Sequence, residues 1–244
     1  MRIPRIHADA ALGEGVRVEL TGAAAEKLIR VLRLRRGDRV VLFNGDGYDY
    51  TGALDPLSRS KVAVTIDGRT GAIAESPLRL VLLQALARAD KMDWILQKAT
   101  ELGAVGIQPI VSERTEVRLD GERVERRMRH WRGVVQAACE QCGRAVVPTL
   151  AVPLPLDALS GESLPPLRLA LHPQGVPLRS LDADSMMSGV CIAIGPEGGF
   201  SDTDLRLLER IGFRRLGLGP RILRTETAGA AVLAAIQALH GDMG

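Results

Sequence analysis

Between Val190 and Ala228 the chain twice carries a short apolar run into a glycine-bearing loop and then into a helix, and few folds accept that pattern twice in succession. The first passage is Val190 to Ile194, then Gly195-Pro196-Glu197-Gly198-Gly199-Phe200-Ser201. The second is Leu216-Gly217-Leu218-Gly219-Pro220-Arg221-Ile222-Leu223-Arg224-Thr225-Glu226-Thr227-Ala228, entering an alanine-rich segment. A β-branched apolar run closed by Gly-Pro has the pattern of a buried parallel strand. Ser201 with Asp204 forms a capping box, after which Leu205, Leu208 and Ile211 recur at helical spacing. Such loops lie outside the carboxyl ends of parallel strands, where ligands bind, so the pair predicts one crevice.

Neither loop contains G-x-G-x-x-G or G-x-x-x-x-G-K-[ST], which excludes the dinucleotide and P-loop fingerprints. Two ordinary tight turns would account for the glycines. They would not account for Arg221, Arg224, Thr225, Glu226 and Thr227 crowded onto a turn that leads into an apolar helix, which is costly packing unless the group serves a ligand or partner.

These residues carry a resemblance. Ile194 to Ser201 and Leu218 to Ala228 resemble the two signature loops of the bacterial ribosomal RNA small-subunit methyltransferase E family, of the SPOUT class. Met1-Arg2-Ile3-Pro4-Arg5-Ile6 resembles that family's amino terminus, Ala138-Cys139-Glu140-Gln141-Cys142-Gly143-Arg144 a central motif, and Leu171-His172-Pro173 a third, so the likeness spans nearly the whole chain in the family's order. The resemblance implies an α/β fold in which a trefoil-knotted parallel-sheet domain follows a small PUA-like β-barrel that grips RNA. It implies S-adenosylmethionine as cofactor, methylation of uridine N3 in 16S rRNA, and a homodimer. The cofactor would lie against Leu171, His172, Pro173, Gly195, Glu197, Gly198, Gly199, Leu218, Gly219, Ile222, Leu223 and Thr225. Arg114, Glu140, Gln141 and Arg144 stand in matching motifs and are candidates for holding the target nucleotide.

Residues 1–74 read as the smaller, β-rich domain. Strands are expected at Arg2 to Ile6, Val16 to Leu20, Val40 to Phe43, Tyr48 to Leu54 and Lys61 to Ile66, with Asn44-Gly45-Asp46-Gly47 as hairpin-turn chemistry. One helix interrupts them, capped by Thr21 and with Ala24, Leu28, Val31 and Leu32 as its apolar face. Lys27, Arg30, Arg33, Arg35, Arg36 and Arg39 stand against one acid, Asp38, over a short stretch. With Arg2 and Arg5 they suggest a basic RNA-contacting surface, although a solvated helix face would look the same. The net charge of only +3 leaves that argument to local clustering. Aromatics are few, so base stacking is limited to what Tyr48 and Tyr50 on one strand face supply.

The boundary falls at Gly71 to Pro77, and residues 75–244 alternate strand and helix as a mostly parallel sheet does. Arg79 to Leu86, Val105 to Val111 and Arg168 to Leu171 are strands; Asp90 to Leu102, Glu122 to Gln141 and Glu226 to His240 are helices. Ser112-Glu113-Arg114-Thr115 is a polar loop at a strand's carboxyl end. Val146 to Val152, broken by Pro148, is an edge or irregular strand. Arg123, Arg126, Arg127 and Arg129 lie largely off the buried side of the long helix, as plain solvent-facing charge or as phosphate-contacting surface.

No run of ~18 apolar residues exists, and Arg2, Pro4, Arg5 and His7 occupy the place of a signal peptide's apolar region, so no membrane partner and a cytosolic location are expected. Three cysteines fit a reducing compartment, and Cys139-x-x-Cys142 has no second pair to complete a metal site, so no metal is expected. Methyl transfer from a sulfonium donor needs position and deprotonation: N3 is a weakly acidic Watson–Crick edge, so the target must be unpaired or flipped. Arg221 and Arg224 are candidates for the charge that develops on O2 and O4, Glu197 or Glu226 for the proton, and either glutamate could instead bond the cofactor ribose or cap a helix. The competing classes are a non-catalytic rRNA-binding protein, a methyltransferase of this class acting on another RNA, and an enzyme of nucleoside phosphates, which the missing P-loop lysine speaks against.

Overall fold

The structure is a computed structural model that describes residues 3–58, 60–117 and 121–244. Arg2, expected to touch RNA, lies outside the described residues. The chain divides into two compact units, residues 1–75 with 136–147, and residues 76–135 with 148–244.

The first unit is built on β1 (Arg5–His7), β2 (Arg17–Thr21), β3 (Arg39–Phe43), β4 (Tyr48–Pro56) and β5 (Lys61–Gly71), in the sheet order β1-β3-β4-β5-β2. β1 runs parallel to β3 and every other neighbour is antiparallel. Alternation in β2 buries Val18 and Leu20, which join Ile6, Leu28, Val40, Leu42, Leu54, Val62, Val64 and Ile66 in one core. The expected hairpin turn joins β3 to β4, pairing Leu42 with Tyr50.

The helix in this unit departs from expectation. It begins as α1 (Gly22–Glu26) and continues as a π-turn over Lys27–Val31, in which the Leu32 N–H donates to the Lys27 carbonyl at 2.9 Å. The wider turn shifts the apolar face: Ala25 and Leu28 are fully buried, while Val31 is 72% exposed and Leu32 39%. Thr21 occupies the N-cap without a side-chain capping bond. Tyr50 is also buried, its hydroxyl donating to Asp46, so it offers no stacking surface.

The second unit carries β6 (Leu80–Ala85), α2 (Ala89–Glu101), β7 (Ala104–Val111), most of α3 (Gly121–Cys142), β8 (Thr149–Leu150), β9 (Leu154–Pro155), β10 (Leu167–Pro177), α4 (Ala183–Met187), β11 (Val190–Ile194), α5 (Asp202–Arg210), β12 (Arg214–Gly217) and α6 (Thr225–His240). The sheet order is β12-β10-β11-β6-β7-β8, with β9 also on β7, and every pair is parallel. The strands read as near-continuous apolar runs because both faces are covered; all five residues of β11 are buried. α6 packs on β6, β11 and α2.

β11 lies between β10 and β6, and β12 returns outside β10. The carboxyl ends of β10, β11 and β12 therefore stand side by side at a switch in strand order. β10 is longer than the sequence suggests. Leu216 pairs with both Leu171 and Val176, so residues between them form a bulge. A Cβ on Gly175 would stand 2.2 Å from the Leu216 carbonyl carbon, a contact that only glycine permits.

Candidate functional site

Three loops meet at that switch. The β10 bulge supplies Leu171, His172 and Pro173; the β11–α5 loop supplies Gly195 to Phe200; the β12–α6 loop supplies Leu218, Gly219, Arg221, Ile222, Leu223 and Thr225. Together they line a cavity of about 270 Å³. All the residues expected around a cofactor lie on its wall, together with Ile194, Pro196, Phe200, Arg221 and Ala228. Ser201 closes its capping box with Asp204, fixing the start of α5, and its hydroxyl donates to Glu113 at 2.5 Å.

Gly195 is required by packing. A Cβ there would stand 2.9 Å from the Phe200 nitrogen and 3.1 Å from the Gly199 carbonyl carbon. At Gly198 an added Cβ would only touch the Arg114 side chain at 3.5 Å, so the Arg114 stem covers that residue while its guanidinium donates to the Gly198 carbonyl at 2.9 Å.

The two signature loops are fastened by a buried polar chain. The Thr225 hydroxyl donates to the Gly195 carbonyl at 2.7 Å and accepts from the Gln84 amide at 3.0 Å. That amide also donates to the Ala85 carbonyl, and Gln84 Oε1 is buried with no hydrogen-bond partner among the described residues. Sequence reasoning missed Gln84; the only signal was a polar residue at the end of an otherwise apolar strand.

Lys91, in the first turn of α2, was missed too. Its ammonium stands 3.1 Å from Glu197 and 3.4 Å from Glu226. A cation opposes the helix dipole there, and that mismatch was the available signal. Burial disfavours charge on Glu197, but its own backbone N–H and the Lys91 ammonium outweigh it and hold the carboxyl below its ordinary value. The Lys91 ammonium is held above its ordinary value, first by the hydrogen bond to Glu197. Glu226 Oε2 is buried and accepts no hydrogen bond among the described residues. Neither Glu226 nor Arg224 is on the cavity wall. Arg224 is the exposed N-cap of α6 and makes no side-chain capping bond; Arg221 is exposed, and Ile222 beside it is 88% exposed.

The expected RNA-contacting residues divide in the first unit. Arg30 lies in the π-turn and Arg33, Arg35 and Arg36 in the segment that leaves it; Arg30 pairs with Glu26 and Arg36 with Asp55. Arg33 has φ +55°, a left-handed backbone rarely taken by a residue with a side chain. Two of the expected contacts are engaged within their own unit. Arg5 is buried, paired with Asp49 at 2.6 Å, bonded to the Cys139 carbonyl at 2.8 Å and seated 4.6 Å over the Phe43 ring. Arg144 is buried against Glu75. Guanidiniums so enclosed help to hold their own unit together. Glu140 accepts the His7 N–H at 2.9 Å and pairs with Lys27, and exposed Gln141 lines a shallow hollow with Ile3, Lys27 and Leu32. Burial pushes the Cys139 thiol up to about 12, so it is no thiolate. Among the described residues no cluster of His, Cys, Asp or Glu could hold a metal, and no helix is long and apolar enough to cross a membrane.

The RNA methyltransferase domain family matches residues 74–237, and the RNA methyltransferase PUA domain matches residues 20–67. Ribosomal RNA small subunit methyltransferase E of Bacillus subtilis is 30% identical over 241 residues, covering 91% of this chain and 92% of that protein. Among solved structures, a methyltransferase of Legionella pneumophila in complex with bound SAM superposes with a TM-score of 0.94 at 37% identity, covering 99% of this chain and 100% of that one. Ribosomal RNA small subunit methyltransferase E of Neisseria gonorrhoeae bound to S-adenosyl methionine gives 0.90 at 32% identity and 100% of both chains.

Proposed function

We propose a reaction from the premise that this chain belongs to the ribosomal RNA small subunit methyltransferase E family. The protein is an S-adenosylmethionine-dependent RNA methyltransferase, and its substrate is uridine N3 in 16S rRNA. The observation that carries the reading is the single cavity in which both signature loops and the β10 bulge converge.

The cavity suits the cofactor. Its wall alternates apolar side chains, such as Leu171, Ile194 and Leu223, with glycine backbone at residues 195, 198 and 199, and no lysine stands on it to cradle phosphates. When bound, S-adenosylmethionine supplies a methyl carbon made electrophilic by a sulfonium. The cavity-wall residues would hold it, and the Thr225–Gly195 bond keeps the two loops in register.

Arg224 and Arg221 meet the negative charge that spreads onto the uracil oxygens, because both are exposed on the β12–α6 loop and neither guanidinium has a carboxylate partner among the described residues. Glu226 takes the N3 proton. Glu197 is the poorer base, since Lys91 and its own backbone hold it ionised; it anchors its loop. Residues 1–74 act as the PUA-like barrel that grips RNA through Arg30, Arg33, Arg35 and Arg36, Arg114 and Gln141 add further RNA contacts, and residues 75–244 act as the catalytic domain.

A trefoil knot is supported by the order in which β12 returns outside β10 and by the close crossing of Gly175 and Leu216. A homodimer is supported by apolar side chains left exposed on packed helices, Trp94 on α2 and Leu239 on α6. The cytoplasm is the compartment of such a substrate, and three free cysteines suit it. Calorimetry with S-adenosylmethionine, S-adenosylhomocysteine and ATP tests the assignment: the first two bind and ATP does not. Tight ATP binding without S-adenosylmethionine binding would overturn it.

A further inference from the structure

The first part of α3 carries a charge pattern that the site above does not use. Residues 121–135 hold five arginines and two glutamates, an excess of three positive charges, which equals the net +3 of the whole chain. Elsewhere in this unit Arg88 closes an ion pair with Glu116 and Arg215 with Glu209, each at 2.8 Å. Arg126 and Arg129 are exposed, and Glu122 and Glu125 stand four residues before them, the spacing at which a helix joins opposite charges. Neither pair is closed, and neither arginine has a carboxylate within ion-pair distance among the described residues. Instead two like charges three residues apart repel one another along the exposed face.

A second observation falls on the same face. Gly133 lies well inside this helix, four residues after Arg129 and seven after Arg126, and it is exposed. A Cβ built on it would meet nothing within 4 Å. No neighbour in the unit requires glycine there, and glycine weakens a helix interior relative to alanine. What it provides is bare backbone beside two guanidiniums that have no carboxylate partner among the described residues, which lets another chain approach closely.

We propose that this face of α3 is a second RNA-binding surface that takes the phosphate backbone of the substrate, with Arg126 and Arg129 on phosphates and the strand lying against Gly133. The inference rests on the rRNA reading above and adds to it a contact on the methyltransferase unit itself. Phosphate recognition is sequence-independent and follows counterion release, so it has its own signature.

The test uses the full chain and a transcribed 16S rRNA, with binding followed across a salt series. In the double variant Arg126→Gln, Arg129→Gln, the slope of log affinity against log salt falls by about 1.4 to 1.8, since each phosphate contact contributes about 0.7 on single strands and 0.9 on duplex. Gly133→Ala raises the melting temperature, and Gly133→Leu keeps the fold but weakens RNA binding. S-adenosylmethionine affinity stays at the wild-type value in all three, which separates a lost contact from a damaged fold. A wild-type salt slope in the double variant, or normal RNA binding by Gly133→Leu, overturns the proposal. So does a double variant that binds naked RNA normally and loses affinity only for the assembled subunit, because that assigns the face to a protein partner. Failure of the wild-type chain to bind any RNA would strike the rRNA reading itself.

Discussion

Thr225 joins the two loops with one hydroxyl, and its environment sets the cost of losing it. Thr225→Val keeps the shape but leaves the half-buried Gly195 carbonyl and the buried Gln84 amide short of a partner. The expected loss is about 1–3 kcal/mol in thermal unfolding, together with weaker cofactor binding in calorimetry. The Lys91 bridge gives a pH dependence with a definite sign. Glu197 has a folded value below its ordinary 4.5, so the stabilisation is complete above that pH and is lost as pH falls below it through the folded value. Cofactor affinity is therefore level through neutrality and weakens only in acid, and Lys91→Met moves that acid limb to higher pH without abolishing it, because the backbone N–H on Glu197 remains. Arg224→Ala cuts the single-turnover rate about a hundredfold or more, with cofactor affinity retained and only partial rescue by lysine. Glu226→Gln slows the same step by about 10² or more, whereas Glu197→Gln acts mainly on cofactor affinity; the reverse pattern would exchange their roles.

The elements were legible where periodicity and turn chemistry agreed. β11, the capping box of α5 and the buried face of α2 through Met92, Ile95, Leu96 and Ala99 follow from spacing alone. Two elements were not legible, for physical reasons. The π-turn after α1 changes the residues per turn, so a period of 3.6 assigns Val31 and Leu32 to the wrong side. β10 continues past His172-Pro173, where a proline and a glycine imitate a strand end, because a bulge absorbs the extra residues against β12. The cavity wall was readable because its residues lie in two contiguous loops and one motif, while Lys91 and Gln84 reach it from elements that carry no motif. Close backbone approach gives the element-scale prediction: Gly195→Ala forces the Phe200 nitrogen and Gly199 to move, and so abolishes cofactor binding while the melting transition of the sheet is retained. Normal cofactor affinity in that variant would show that the loop is not part of the cofactor wall.

Across the whole molecule, recognition and chemistry are assigned to different residues, so they should separate in experiment. Replacing Arg33 and Arg35 by alanine weakens rRNA binding and flattens its salt slope by up to about two, leaving cofactor affinity unchanged; unchanged RNA affinity would return that segment to plain solvated surface. The enclosed ion pairs of Arg5 and Arg144 make the opposite forecast for them: their loss lowers the melting temperature before it alters the salt slope. The central claim concerns one atom of one nucleotide. Incubating the full chain with labelled S-adenosylmethionine and small subunits from cells lacking their own enzyme of this family, then digesting the 16S rRNA to nucleosides for mass spectrometry, measures it directly. The account predicts a single methylated product, uridine carrying the label on N3; label on another base, on ribose or only on non-ribosomal RNA would contradict it.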